Sequence, residues 1–255
     1  MLEFERGGEG TPIVLVHGIT ESRRSWDPLL ERLASSHDVL AVDLRGHGES
    51  EASEPYDVIT LASDVHEVVE ALGIENPLLV GHSLGGTVVS AYAAMYPCCG
   101  VVNIDQPMRL DDFQATLQSI ESMLRGDDDA FQQVMTMVFE EMRGQLDDEE
   151  WERLASLRRA DQEVVLAIWA AVLDAEAEDL EAMVDSLASA ITVPYLSLHG
   201  TDPGEGYEQW LCDLIDDSRV EQWEGLGHYP HLVDPDRFFD LLEEFEGSLG
   251  EVRSE

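Results

Sequence analysis

Pro77-Leu78-Leu79-Val80-Gly81-His82-Ser83-Leu84-Gly85-Gly86 is the stretch that decides the fold. An apolar run too short for a helix enters Gly-x-Ser-x-Gly, and small residues from Val88 to Met95 continue until Pro97. The run predicts a buried strand and the small-residue segment a helix. A chain that passes from strand to helix at one residue must turn sharply, and the glycines at 81 and 85 remove the Cβ atoms that would collide there. Such a turn lifts the Ser83 hydroxyl above the end of a sheet, where a serine can act as a nucleophile if a base and an orienting acid meet it.

Outward from this turn, short apolar runs alternate with longer amphipathic segments, the pattern of a parallel sheet covered on both faces. Strands are expected at Pro12–Val16, Val39–Asp43, Val101–Asp105, Val193–His199 and Val220–Glu224. Helices are expected around Trp26–Ser35, Ile59–Leu72, Tyr207–Ile215 and Asp236–Phe245. Between Gln106 and Thr192 the strand signal vanishes. Phe113, Leu117, Ile120 and Leu124 recur at helical spacing, as do Phe131, Val134, Met135, Val138 and Met142. Val164, Val165, Ile168, Trp169 and Val172 follow, then Leu180, Val184, Leu187 and Ile191. An α/β core at 1–106 and 192–255 with an all-helical insertion at 107–191 is therefore expected.

Two further loops at strand ends carry chemistry-bearing residues. His228 lies in Gly225-Leu226-Gly227-His228, after the last strand, and Asp202 lies in His199-Gly200-Thr201-Asp202-Pro203, one strand earlier. Sites of open α/β sheets form at the carboxyl ends of strands. The order serine, acid, histidine matches one known arrangement of a Ser-His-Asp triad.

Together with His17-Gly18 and Asp43-Leu44-Arg45-Gly46-His47-Gly48-Glu49-Ser50, these motifs resemble the α/β-hydrolases that carry a cap, over nearly the whole chain. The resemblance implies a mostly parallel sheet of seven or eight strands, helices on both faces and a helical lid. It implies Ser83 as nucleophile, His228 as base and Asp202 as acid. It also implies an oxyanion hole from the backbone N–H groups of Ile19 and Leu84. Only about ten residues precede the Pro12 strand, which favours seven strands. Relatives commonly place the acid three residues after the glycine of the penultimate strand, where this chain has Pro203, so Asp202 is one residue early. Asp105, at the end of the strand after the elbow helix, is the alternative acid, and chain order favours Asp202.

The implied activity is hydrolysis of an ester, thioester or lactone of a small apolar substrate. Carbon–carbon bond hydrolysis and cofactor-free perhydrolysis use the same triad, and a slow-turnover small-molecule receptor is the reading from another class. Serine at position 83 excludes the aspartate-nucleophile branches, the haloalkane dehalogenases and epoxide hydrolases. Other histidines have structural expectations: His17 bracing its turn, His47 its loop, His82 a variable elbow position, and His231 packing near the last helix. Neither a metal nor a cofactor is expected, and Cys98, Cys99 and Cys212 have no metal-ligand spacing.

Composition bounds the partners. The 255 residues hold 54 acids against 14 basic residues, all arginine, for a net charge of −40. Such a surface repels phosphate backbones and anionic headgroups, so nucleic acid and membrane are not expected as partners. The N-terminus has neither a basic n-region nor an apolar signal core, and no apolar run reaches the roughly 20 residues of a span. A cytoplasmic monomer or small homo-oligomer is expected. The acid excess and missing lysine resemble the cytoplasmic proteins of extreme halophiles, whose charge is screened at molar salt.

Overall fold

The computed structural model describes residues 1–252. Seven strands form one sheet: β1 (Phe4–Gly7), β2 (Thr11–Val16), β3 (His37–Val42), β4 (Leu78–His82), β5 (Gly100–Ile104), β6 (Tyr195–His199) and β7 (Ser218–Gln222). Their order is β1-β3-β2-β4-β5-β6-β7. β1 runs antiparallel to β3 and every other pair is parallel. The central strands are buried on both faces, which is why they read as continuous apolar runs instead of alternating ones.

Side-chain alternation still sorts the faces. Val14, Val16, Leu40, Val42, Leu79 and Val101 share one apolar cluster with α2 (Val58–Ala71) and α3 (Leu84–Met95). Ile13, Leu15, Val39, Ala41, Leu78 and Val80 face the other way. There they meet α1 (Asp27–Leu33) and, near the C-terminus, Phe238, Leu241, Leu242 and Phe245 of the helix Pro235–Val252. Successive residues on a strand project to opposite faces, so a single run supplies both layers.

Between β5 and β6 lie five helices and no strand: α4 (Asp111–Leu124), α5 (Asp128–Met142), α6 (Asp148–Leu157), α7 (Gln162–Leu173) and α8 (Ala177–Ser189). Aspartates start three of them. Asp127 accepts from the Ala130 N–H, Asp147 from Glu150 N–H, and Asp161 from the N–H groups of Glu163 and Val164. These caps satisfy donors that have no partner inside the helix. Phe131, Val134, Leu154, Val165 and Trp169 close a third apolar cluster, which also includes Ile19 and Tyr229 of the core and touches Leu84. After β6 come α9 (Tyr207–Leu214), the short α10 (Pro230–Val233) and α11 (Pro235–Val252).

Three elements differ from expectation. β1 is mostly exposed, so Phe-Glu-Arg-Gly shows no apolar signal and is held as a strand by its ladder to β3. In α6 only Trp151 and Leu154 are buried, too few for periodicity to stand out. β7 also begins two residues before the expected strand.

Candidate active site

Ser83 sits between β4 and α3 with φ 53° and ψ −123°, a conformation side chains other than glycine avoid. The turn is enforced by packing. A Cβ at Gly81 would strike the Gly85 carbonyl, and one at Gly85 would strike the carbonyls of Val16 and His17. Neither neighbour can yield, because both belong to the sheet or the helix start. The Ser83 N–H is fixed to the Ile104 carbonyl at 2.9 Å. Strain of this type costs roughly 1–3 kcal/mol and persists where the surroundings over-determine it.

The turn after β2 lies against the elbow, since a Cβ on Gly18 would be 3.2 Å from Ser83 Cβ. His17 braces that turn: its Nδ1 donates to the Gly18 carbonyl at 2.7 Å, and Nε2 accepts from the Leu44 N–H at 3.0 Å. Burial pushes its pKa down, in keeping with a neutral ring. Among the described residues, no backbone carbonyl outside the helices and strands accepts from the N–H groups of Ile19 and Leu84.

His228 is buried beside this turn. Its Nδ1 donates to Asp105 Oδ2 at 2.6 Å, which leaves Nε2 as the lone-pair nitrogen of the neutral ring. Asp105 is itself tightly held. Its Oδ1 accepts from the N–H groups of Gly200 at 2.7 Å and Thr201 at 3.0 Å, and the Thr201 hydroxyl reaches both oxygens at 3.1 Å. Burial by itself would raise the Asp105 pKa. The bond from His228 and the Thr201 N–H outweigh it and hold the carboxyl well below its usual range.

Asp202, the acid favoured by chain order, is not at His228. It is exposed, and its Oδ1 accepts from the Gly204 N–H at 3.0 Å in a tight turn. Thr201, exposed like Asp202, turns its N–H and hydroxyl to Asp105, so the loop after β6 contributes donors to Asp105 instead of an acid. Asp105 does not cap α4; its φ of 51° turns it back over the sheet end. Sequence spacing carries no trace of that backbone angle.

Glu21 and Tyr229 escaped the sequence reading, and His82, expected only as a variable elbow position, joins them. His82 is buried, and its Nε2 donates to the His228 carbonyl at 2.8 Å. Glu21 and Tyr229 are buried next to it and joined by a 2.8 Å bond from the Tyr229 hydroxyl to Glu21 Oε1. His231 packs on Trp26 and His82, with ring centroids 5.1 and 4.9 Å away, and burial holds its pKa well below the usual value. His47 rests on His17, and burial lowers its pKa to about 4.

The helices after β5 also touch the histidine loop. The His228 N–H donates to the Met142 carbonyl at 3.1 Å, and the Gln145 N–H to the Leu226 carbonyl at 3.0 Å. Gly144, at φ 58°, lies where a Cβ would meet Leu226 and Gly227 backbone. Among the described residues no helix is long and apolar enough to cross a membrane. No group of three or more His, Cys, Asp or Glu among them is placed to hold a metal ion.

Comparison with known proteins follows the same lines. The family model described as "Alpha/beta hydrolase family" matches residues 13–241. A soluble epoxide hydrolase of Corynebacterium sp. is 38% identical over 93 residues, 36% of this chain and 32% of that protein. The matched stretch spans only about 28% of the first curated relatives' length. Solved structures align far more completely. The esterase RhEst1 from Rhodococcus sp. is 26% identical with a TM-score of 0.75, covering 97% of this chain and 95% of that one. A thermophilic esterase from Thermogutta terrifontis is 25% identical with a TM-score of 0.77, covering 97% and 93%.

Proposed function

The chain belongs to the α/β hydrolase family, and on that premise we propose that it is a serine hydrolase cleaving an ester, thioester or lactone of a small apolar substrate. The observation that carries this is the 2.6 Å bond from His228 Nδ1 to Asp105 beside a strained Ser83 elbow. Ser83 Oγ attacks the acyl carbon while His228 Nε2 takes its proton. Asp105 fixes the ring in that tautomer and stabilises the imidazolium that forms. The tetrahedral oxyanion faces the N–H groups of Ile19 and Leu84, donors typically worth about 2.7–4 kcal/mol each in acyl transfer. His228 then protonates the leaving group, and a water activated by the same ring releases the acyl-enzyme.

An apolar acyl group suits the surroundings, because Ile19 and Leu84 adjoin the apolar cluster of the inserted helices. Those helices act as a cap that excludes water. Serine at 83 favours acyl transfer over the epoxide opening named for the Corynebacterium relative.

A serine-directed fluorophosphonate, together with p-nitrophenyl esters of increasing acyl length in molar KCl, tests the proposal. Labelling of the wild type and its loss in Ser83→Ala is the expected result. Equal labelling of both proteins would falsify the nucleophile assignment.

A further inference from the structure

Below the elbow lies a carboxylate that the proposed chemistry does not use. Glu21 is only 3% exposed. Its Oε1 accepts from the Tyr229 hydroxyl at 2.8 Å, and its Oε2, which has no hydrogen-bond partner, faces His82 Nδ1 at 3.7 Å, a contact that is an ion pair only when that nitrogen is protonated. Burial by itself would raise its pKa; His82, the Arg158 guanidinium and the Tyr229 hydroxyl reverse the direction and keep it ionised. A buried carboxylate is costly unless it is paired and hydrogen-bonded.

Both side chains that Glu21 touches also determine where His228 sits. His82 Nε2 donates to the His228 carbonyl at 2.8 Å, and a carbonyl only accepts, so that nitrogen carries a proton; a second proton on Nδ1 is what would pair the ring with Glu21. Tyr229 is the next residue along the chain, and its ring packs edge-on against His228 with centroids 5.3 Å apart. From the helices after β5, Arg158 Nη2 donates to the Tyr229 hydroxyl at 3.0 Å. Its guanidinium lies over the rings of Trp151 and Phe139 at 4.2 and 4.3 Å. The contacts therefore run from the cap through Tyr229 to Glu21, then through His82 to the histidine's main chain.

We propose that Glu21 is a positioning residue for His228, anchoring the main chain on both sides of the imidazole while Asp105 holds the ring, and tying that anchor to a seated cap. Asp105 sets the tautomer; Glu21, through His82 and Tyr229, sets where the ring stands relative to Ser83. The proposal rests on the serine-hydrolase reading of the site.

The test compares Glu21→Gln in the wild-type and His228→Ala backgrounds, using p-nitrophenyl ester turnover and fluorophosphonate inactivation in molar KCl. In the wild-type background kcat should drop about 10–100-fold with KM held within about threefold, the pattern of an interaction lost in the transition state. In the His228→Ala background the same substitution should change the residual rate less than about twofold, because residues acting as one unit are not additive. Tyr229→Phe should repeat both results, and it serves as the second variant if Glu21→Gln does not fold. Equal losses in the two backgrounds, or an unchanged kcat in the first, overturn the positioning role. An unlabelled wild type, or a His228→Ala variant as fast as wild type, instead overturns the serine-hydrolase reading on which it rests.

Discussion

Asp105 Oδ2 and His228 Nδ1 stand 2.6 Å apart across 123 residues of sequence. Asp105 is bound by Gly200 and Thr201 as well, so the carboxylate is held in place by the sheet end independently of the histidine. Such preorganisation is what a triad acid requires, since it must keep one ring orientation through the reaction.

Asp105→Asn should therefore lower kcat by about 10⁴-fold while leaving the fold intact, as expected when the imidazole loses its orienting acceptor. Asp202→Asn should stay within about twofold of wild type, because an exposed turn carboxylate touches nothing that reacts. Steady-state kinetics on one ester decide the matter. A large loss in Asp202→Asn with little change in Asp105→Asn would reverse the assignment.

The elbow makes a separate prediction about stability. Ser83 holds φ 53° because glycines 81 and 85 and the sheet leave no other path. Ser83→Gly removes both the strain and the nucleophile, so the inactive protein should be more stable by about 1 kcal/mol after the larger unfolded-state entropy of glycine is subtracted. Denaturant unfolding of Ser83→Gly against Ser83→Ala isolates the backbone effect. A glycine variant no more stable than the alanine one would show that the angle is unstrained.

Much of this architecture is legible in the sequence, for a physical reason. Strands buried on both faces must be apolar throughout, so β2 to β6 announce themselves, and the glycines of a collision-limited turn cannot be replaced. The remainder depends on partners distant in sequence. β1 is a strand because β3 offers it a ladder, and its own residues give no sign of this. Asp105 and Asp202 both end up in loops above the sheet, and only the backbone at Asp105 and the bonds it accepts from Gly200 and Thr201 separate them. Glu21 and His82 fall beside recognisable motifs but outside their fixed positions, so no spacing rule identifies them.

Acid should destabilise the protein in two stages. Burial holds the pKa of His47 and of His199 at about 4, below the usual 6.5 of the unfolded chain. Between those values the unfolded state takes up protons that the native state refuses, so stability falls as pH drops. Each ring should cost about 2 kcal/mol between pH 6.5 and 5. Asp105 and Glu21 have the opposite charge type but a lowered pKa as well, so their contribution is present above the usual carboxylate range and disappears below about pH 4. Urea unfolding at pH 7 and pH 5, in fixed molar KCl to screen surface repulsion, should show the first stage. An unchanged midpoint would mean these histidines titrate normally in the native state.

The grip of the inserted helices on the histidine loop can be probed at Gly144. A methyl group there meets the backbone of Leu226 and Gly227, and the φ of 58° is itself unfavourable for alanine. Gly144→Ala should destabilise by about 2–3 kcal/mol and lower kcat more than KM, since the His228 N–H bond to Met142 lies two residues away. A variant with reduced melting temperature but wild-type kcat would show that the loop keeps its position without that contact.

Salt should matter more than any single substitution. Of the 54 acids, a few have defined work: Asp105 at the candidate site, Glu21 beneath it, and Asp57, Asp127, Asp147 and Asp161 as helix caps. Fourteen arginines can offset at most fourteen of all 54 acids, which leaves a net charge of −40. In dilute buffer that charge repels itself over roughly 30 Å at 0.01 M ionic strength, whereas at 1 M the range shrinks to about 3 Å, less than the spacing of most surface groups. Melting temperature and esterase activity should therefore rise together as KCl is raised into the molar range, and both should collapse on dialysis into low salt. Asp105 is buried and screened little, so the stability lost as acid reaches it should set in at the same pH across the series while overall stability changes. A protein equally stable and active at low salt would sever the link between the acidic surface and a saline working environment.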